Sequence, residues 1–368
     1  MNTKQLRNIE ESLMAPTEEA KKPLFFTTGS TLLDLVVGGG EKLNPMQFGM
    51  GYRAGDIVRD WGNTSSSKSF KLCEAISANH YRFKDKFKWV YDDPEAGNKF
   101  DSMKLYGFDI IPKDPAKVVR SRTVEEWYNN LRDFCNSLKD DECGIYGLDS
   151  LDSLSSDEME ERKDERYAMH LKGKEFDAGS YGMASAKFLS QEFFRGLSID
   201  LAKKNVLLYV ISQERDNVNA FGFAKKNKLG GGRAATFYET VRVYSQLKQR
   251  IEVKDRAIGV VIKVVAEKTR HPRPFRECLI PIFFEYGVDD IGQNIDFLYN
   301  LRTPEGEMKD KKAGKLQWDN EEPMVRDVLV TYIEQKRLKE ELRNRAIEKW
   351  EAIEAEIAVQ RPFKYEDA

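Results

Sequence analysis

Ile57-Val58-Arg59-Asp60-Trp61 runs without a break into Gly62-Asn63-Thr64-Ser65-Ser66-Ser67-Lys68-Ser69, and the residues from Phe70 to Ala78 carry a helical pattern. An apolar strand, a small-residue turn and a helix in that order match the phosphate-loop pattern GxxxxGK[ST] at every defined position but one. Such a turn binds phosphate because backbone N–H groups converge in one concavity with a helix N-terminus behind them. On this reading Gly62, Asn63, Thr64, Ser65, Ser66, Ser67, Lys68 and Ser69 wrap a triphosphate, Lys68 meets its β- and γ-phosphates, and the Ser69 hydroxyl serves Mg²⁺. The exception is Ser67, where the pattern has a second glycine. A side chain there either crowds the turn or approaches the nucleotide.

The neighbouring strands supply the acids that this chemistry needs. Cys143–Leu148 is an apolar run ending in Asp149, which is placed to hold Mg²⁺ together with Ser69. Phe87–Tyr91 ends in Asp92-Asp93-Pro94-Glu95, which offers Glu95 to orient or deprotonate an attacking water. Asp and Glu are more often solvated loop residues, but these two stand at the carboxyl ends of expected strands, where open α/β sheets bind ligands. Strands expected at 57–61, 87–91, 144–148, 206–211 and 259–266 alternate with helices near 70–78, 124–138 and 182–203. Near-continuous apolar strands separated by helices predict an α/β fold with a mostly parallel, twisted sheet flanked by helices.

Composition sets the outer limits. The chain has 368 residues, 40% hydrophobic and 33% charged, which excludes a wholly disordered chain. No stretch reaches the roughly 18 apolar residues of a membrane span, and the first twenty residues lack the apolar block of a secretory signal, so a soluble, cytoplasmic protein without membrane partners is expected. Cys73, Cys135, Cys143 and Cys278 lack metal or disulfide spacing, and His80, His170 and His271 are scattered. With 59 Lys and Arg against 61 Asp and Glu, the bulk charge of −2 does not announce a nucleic-acid partner. Residues 1–23 suggest a short N-terminal helix used in oligomerisation, 24–298 a core domain, and 299–368 a charged connection followed by one long helical run from about Pro323 to Val359. A helix lying on its own domain and a partner-binding arm are both open readings of that run.

Two stretches, 157–180 and 214–233, lose apolar periodicity and read as irregular loops. In the second, Arg215, Lys225, Lys226, Lys228 and Arg233 are interleaved with Phe221, Phe223 and glycines. Cations along phosphates and flat side chains near bases hold single-stranded nucleic acid; a solvated surface loop is the plainer reading.

The order Thr27–Gly40 (TTGSTLLDLVVGGG), Gly51–Ser69 and Gly144–Leu154 (GIYGLDSLDSL) resembles the P-loop NTPase core of the RecA-type homologous-recombination ATPases, including their bacteriophage members. Leu207–Arg215, Gly230–Val243 and Val260–Phe275 resemble later blocks of the same family. The resemblance implies a filament on single-stranded DNA that pairs it with double-stranded DNA and exchanges strands, with ATP and Mg²⁺ as cofactors. It implies that Gln213 senses the γ-phosphate and that Lys268 and Arg270 reach the nucleotide of the next subunit, Arg270 standing where the family has lysine. It also implies a first DNA loop near 165–180, with Arg166, Lys172 and Lys174 as contacts, accessory or single-strand-binding proteins as further partners, and work in the nucleoid or infected-cell cytoplasm. Two rival readings remain: a RecA-like filament or accessory subunit that binds nucleotide or DNA without turnover, as Ser67 suggests, and a ring-forming helicase motor.

Overall fold

The computed structural model describes residues 23–40, 49–98, 100–173, 188–189, 193–216, 227–229, 236–270, 273–309, 314–359 and 361. In chain order the elements are β1 (Phe25–Phe26), α1 (Thr31–Gly38), β2 (Tyr52–Arg53), β3 (Ile57–Gly62), α2 (Lys68–Phe83), β4 (Phe87–Asp92), α3 (Ser102–Tyr106), α4 (Val124–Ser137), β5 (Cys143–Leu148), α5 (Asp157–Leu171), α6 (Leu197–Lys203), β6 (Val206–Asp216) and β7 (Asn227–Leu229). They continue with β8 (Val241–Val253), β9 (Arg256–Thr269), β10 (Glu277–Phe283), β11 (Gly287–Val288), α7 (Asp290–Leu298), α8 (Arg326–Gln335) and α9 (Lys339–Glu356).

The main sheet has the order β11-β10-β9-β8-β3-β6-β5-β4, with β7 pairing β6 at one end. Strands β4, β5, β6, β3 and β8 are parallel neighbours, and β9, β10 and β11 extend the sheet antiparallel. The fold is thus the expected α/β core, with an antiparallel wing that the sequence reading registered only as one strand at 259–266. Side-chain alternation explains how the central strands serve two cores. Leu207, Tyr209 and Ile211 of β6 pack with α1 and α2 on one face. Leu208 and Val210 pack with Trp127, Leu131 and Phe134 of α4 and Leu201 of α6 on the other. Burial on this scale contributes about 1.5–3 kcal/mol per large aliphatic side chain.

One polar cluster crosses the first core. Lys71 of α2 lies 2.6 Å from Asp60 of β3, with side chains 3% and 0% exposed. Asp60 also accepts from Tyr209 and Ser245, each at 2.7 Å. The helix behind the phosphate-loop turn is therefore tied through one carboxylate to β3, β6 and β8.

Three expectations change. Residues 157–171 form a helix, α5, although none of its residues is buried; its Glu, Arg, Met and Ala content favours helix without an apolar stripe. The helix expected over 182–203 is described only in part, and α6 begins at Leu197, after Gly196 in a left-handed conformation at φ 78°. The C-terminal run is two helices, because Arg337 adopts φ 58° between α8 and α9. Their inner faces close a small core with Ile295, Leu316, Trp318, Leu329, Ile333 and Leu342, and Arg326 pairs with Asp296 at 2.5 Å. Helix α9 lies on its own chain: Ile347 and Trp350 pack against the first core, and Glu354 pairs with Arg276 at 2.5 Å and with Arg273. The N-terminal helix expected before Pro23 lies outside the described residues. No helix among the described residues is long and apolar enough to cross a membrane.

Candidate nucleotide site

The turn after β3 is shaped by what it must clear. A Cβ on Gly62 would lie 2.0 Å from the Ser245 carbonyl oxygen of β8, so only glycine lets the two strands meet there. Ser65 and Ser67 both take left-handed backbone, at φ 64° and 56°. Ser67 occupies the place of the pattern's second glycine and precedes α2 without donating or accepting a side-chain cap bond. The substituted serine thus keeps a backbone shape that glycine reaches without steric cost, at a penalty of about 1 kcal/mol. Ser67→Gly is accordingly expected to raise the thermal unfolding midpoint by about 1–2 °C, measured by differential scanning calorimetry; an unchanged or lower midpoint would show that the serine side chain contributes a compensating contact.

Lys68 folds back under the turn. Its Nζ donates to the Gly62 and Asn63 carbonyls at 3.0 and 2.8 Å and to Ser66 Oγ at 3.1 Å. Burial lowers its pKa from the ordinary lysine value, Lys71 adds to that, and Asp60, Asp149 and Glu214 oppose it. The free N–H groups at the start of α2 stand behind the same turn.

The acids arrive from adjoining strands. Asp149, just past β5, accepts from Ser69 Oγ and from Tyr91 OH, both at 2.6 Å. Burial raises its pKa, Ser69 and Tyr91 pull it down, and Asp93 and Glu95 push it up. Glu95, past β4, accepts from Ser150 Oγ at 2.8 Å, Ser153 Oγ at 2.5 Å and Gln213 Nε2 at 3.3 Å. The Gln213 backbone N–H in turn donates to Asp152 at 2.8 Å. Lys68, Ser69, Glu95, Asp149 and Gln213 all border one cleft of about 590 Å³, whose outer wall carries Phe70, Phe100, Leu247, Arg250 and Phe284. It opens on the carboxyl-end side of the parallel strands β3, β4, β5 and β6, the side on which open α/β sheets bind ligands. Ser69 and Asp149 form an all-oxygen pair suited to a hard cation that keeps water and phosphate among its ligands.

Lys268 and Arg270 do not join this cleft. In the sheet register Lys268 stands opposite Arg242, which stands opposite Arg59, three residues before the turn and so roughly 10 Å back along the strand. Lys268 Nζ donates to the Thr236 and Phe237 carbonyls at 3.0 and 3.4 Å and lies 4.0 Å from Glu239. Burial lowers its pKa and Glu239 raises it. The Arg270 backbone N–H donates to the Thr240 carbonyl at 3.1 Å.

Of the residues proposed for nucleic acid, Arg166 is exposed on α5 and Lys172 is exposed just beyond it. Arg215 and Lys228 are cross-strand neighbours in the β6–β7 pair. Lys174, Phe221, Phe223, Lys225, Lys226 and Arg233 lie outside the described residues. The sequence reading missed Tyr91, Ser150, Asp152 and Ser153, which hold the acids and Gln213, and Glu239. The repeated Asp and Ser of Asp149-Ser150-Leu151-Asp152-Ser153 were the available signal for the first group; a lone glutamate in Phe237-Tyr238-Glu239-Thr240 gave none.

Comparison with known proteins matches residues 171–289 to a family described as the RecA N-terminal domain. That span includes Gln213, Lys268 and Arg270 but not the turn at 62–69. The chain is 25% identical over 311 residues to "Protein RecA" of Malacoplasma penetrans, covering 84% of this chain and 82% of the relative. It is 25% identical over 282 residues to "Protein RecA" of Mycoplasma mycoides subsp. mycoides SC, covering 76% and 71%. A shorter match to "Protein RecA" of Thermus aquaticus is 34% identical over 107 residues, spanning 29% of this chain and 31% of that one.

Proposed function

We infer, from the premise that this chain belongs to the RecA-type family, that it is a DNA-dependent ATPase that assembles as a helical filament on single-stranded DNA and promotes pairing and strand exchange with double-stranded DNA. The observation that carries this reading is the hydrogen bond between Gln213 and Glu95 inside the cleft. It joins Glu95, read here as the group that positions water, to the strand that leads directly into the basic, aromatic segment beyond Arg215. A change at the γ-phosphate would reach that segment through one side chain, so nucleotide state and DNA affinity would shift together.

In this reading Lys68 exchanges its loop carbonyls for phosphate oxygens, and Ser69 and Asp149 hold Mg²⁺. The ion, when bound, offsets negative charge on the β- and γ-phosphates. Glu95 keeps a water in line, its orientation fixed by Ser150 and Ser153. Lys268 and Arg270 do not border their own cleft; in this reading they serve the nucleotide of an adjacent copy, and hydrolysis depends on assembly. Residues 24–298 form the ATPase core and 299–368 a C-terminal appendage.

Filament assembly makes turnover depend on the length of the DNA. ATP hydrolysis titrated against single-stranded oligonucleotides of increasing length should rise steeply and then saturate. Turnover independent of length would exclude an assembling enzyme. Undetectable turnover alongside nucleotide-dependent DNA binding would leave a non-hydrolysing filament subunit.

A further inference from the structure

Glu239 is 1% exposed, yet it is a carboxylate surrounded by cations. Arg242 donates to its Oε1 at 2.7 Å, and Lys268 Nζ stands 4.0 Å from the same oxygen. Arg59, 2% exposed, acts on it through charge as well. Its Oε2 has no hydrogen-bond partner among the described residues. A buried carboxylate with one oxygen unfilled is costly, so a purely structural glutamate would be expected to use both oxygens.

The surroundings show what its charge does. Lys268 lies near two other cations, Arg242 and Arg270, both of which disfavour its protonated form, while Glu239 favours it. The other groups that hold the ammonium are the carbonyls of Thr236 and Phe237, on the same short segment as Glu239. Two carbonyl acceptors and one carboxylate at ion-pair distance, all within four residues, therefore hold one ammonium. Arg242 is shared with Glu267 at 3.2 Å, so Glu239 is the carboxylate that offsets the repulsion of the two arginines on Lys268 itself.

Resting on the reading of Lys268 as a cation that serves the adjacent copy, we propose that Glu239 is a positioning residue for ATP hydrolysis, holding Lys268 Nζ in the place from which it meets the neighbour's phosphates. Glu239 does not border the cleft, and it acts only through Lys268.

The test uses the full chain on saturating single-stranded DNA. Glu239→Gln should lower kcat about tenfold and leave KM for ATP within about twofold, since the chain's own cleft is untouched. Glu239→Asp, which keeps the charge, should recover to within about threefold of wild type. Lys268→Ala and the Glu239→Gln, Lys268→Ala double variant should share one kcat, because removing the lysine leaves the carboxylate nothing to position. Wild-type kcat in Glu239→Gln, or losses that multiply in the double variant, would overturn the positioning role while leaving the ATPase reading intact. Should Glu239→Gln lose its cooperative thermal transition, the same cycle run with Glu239→Asp decides: a double variant equal to Lys268→Ala supports the role, and multiplied losses overturn it. A wild-type chain without DNA-stimulated turnover would overturn the functional reading and this role with it.

Discussion

ATP turnover by the Lys68→Ala chain on saturating single-stranded DNA is expected to fall by about 10²–10³-fold, the scale of removing one preorganised donor from a transition-state charge. The same substitution unties the turn, because Lys68 is the donor to Gly62, Asn63 and Ser66. Fold stability should fall by about 1–3 kcal/mol at most, since the Gly62 and Asn63 carbonyls lose one donor. Steady-state hydrolysis, binding of a fluorescent ATP analogue and a thermal melt together check this. Turnover within tenfold of wild type in a folded variant would remove Lys68 from the phosphate contact. Lys68→Arg is expected to be nearly as inactive, because a planar guanidinium does not fit where a compact ammonium reaches three oxygens.

Replacing Lys268 and Arg270 together by alanine should be as damaging by a different route. Loss of cations contributed across a subunit boundary costs about 10³-fold or more in turnover in comparable phosphoryl-transfer enzymes. Nucleotide binding to isolated protomers should be unchanged, because neither side chain borders its own cleft. Mixing separates the routes. In a filament built from equal amounts of this double variant and the Lys68→Ala chain, about a quarter of the boundaries would pair an intact turn with intact cations, given head-to-tail assembly. Turnover should therefore return to roughly a quarter of wild type, from two preparations each inactive alone. If the mixture stays inactive while both variants join DNA-bound assemblies, the cations act within their own chain.

Much of the candidate cleft was legible in the sequence because its parts obey local rules. The β3 strand, the small-residue turn and α2 are consecutive, and Asp149 and Glu95 each follow a run of strand-forming residues. Other features depend on distant partners. Strand β8 mixes Gln, Lys and Arg with its apolar residues because much of its length is only half covered, so no clean period announces it. Helix α5 buries none of its residues, and its helicity comes from residue preference. The break at Arg337 carries neither Gly nor Pro to mark it. Glu239 is the clearest case: its significance comes from Arg59, Arg242 and Lys268, brought together from three strands.

The Lys71–Asp60 contact has a consequence for how this chain can vary between lineages. Losing either partner alone strands the other charge inside the core, a loss of about 3–5 kcal/mol, whereas exchanging both for apolar residues of matching volume avoids that charge and leaves only the Tyr209 and Ser245 hydroxyls short of an acceptor. Single steps away from the pair are therefore closed to a marginally stable protein, and positions 60 and 71 should be inherited as a unit or replaced as one.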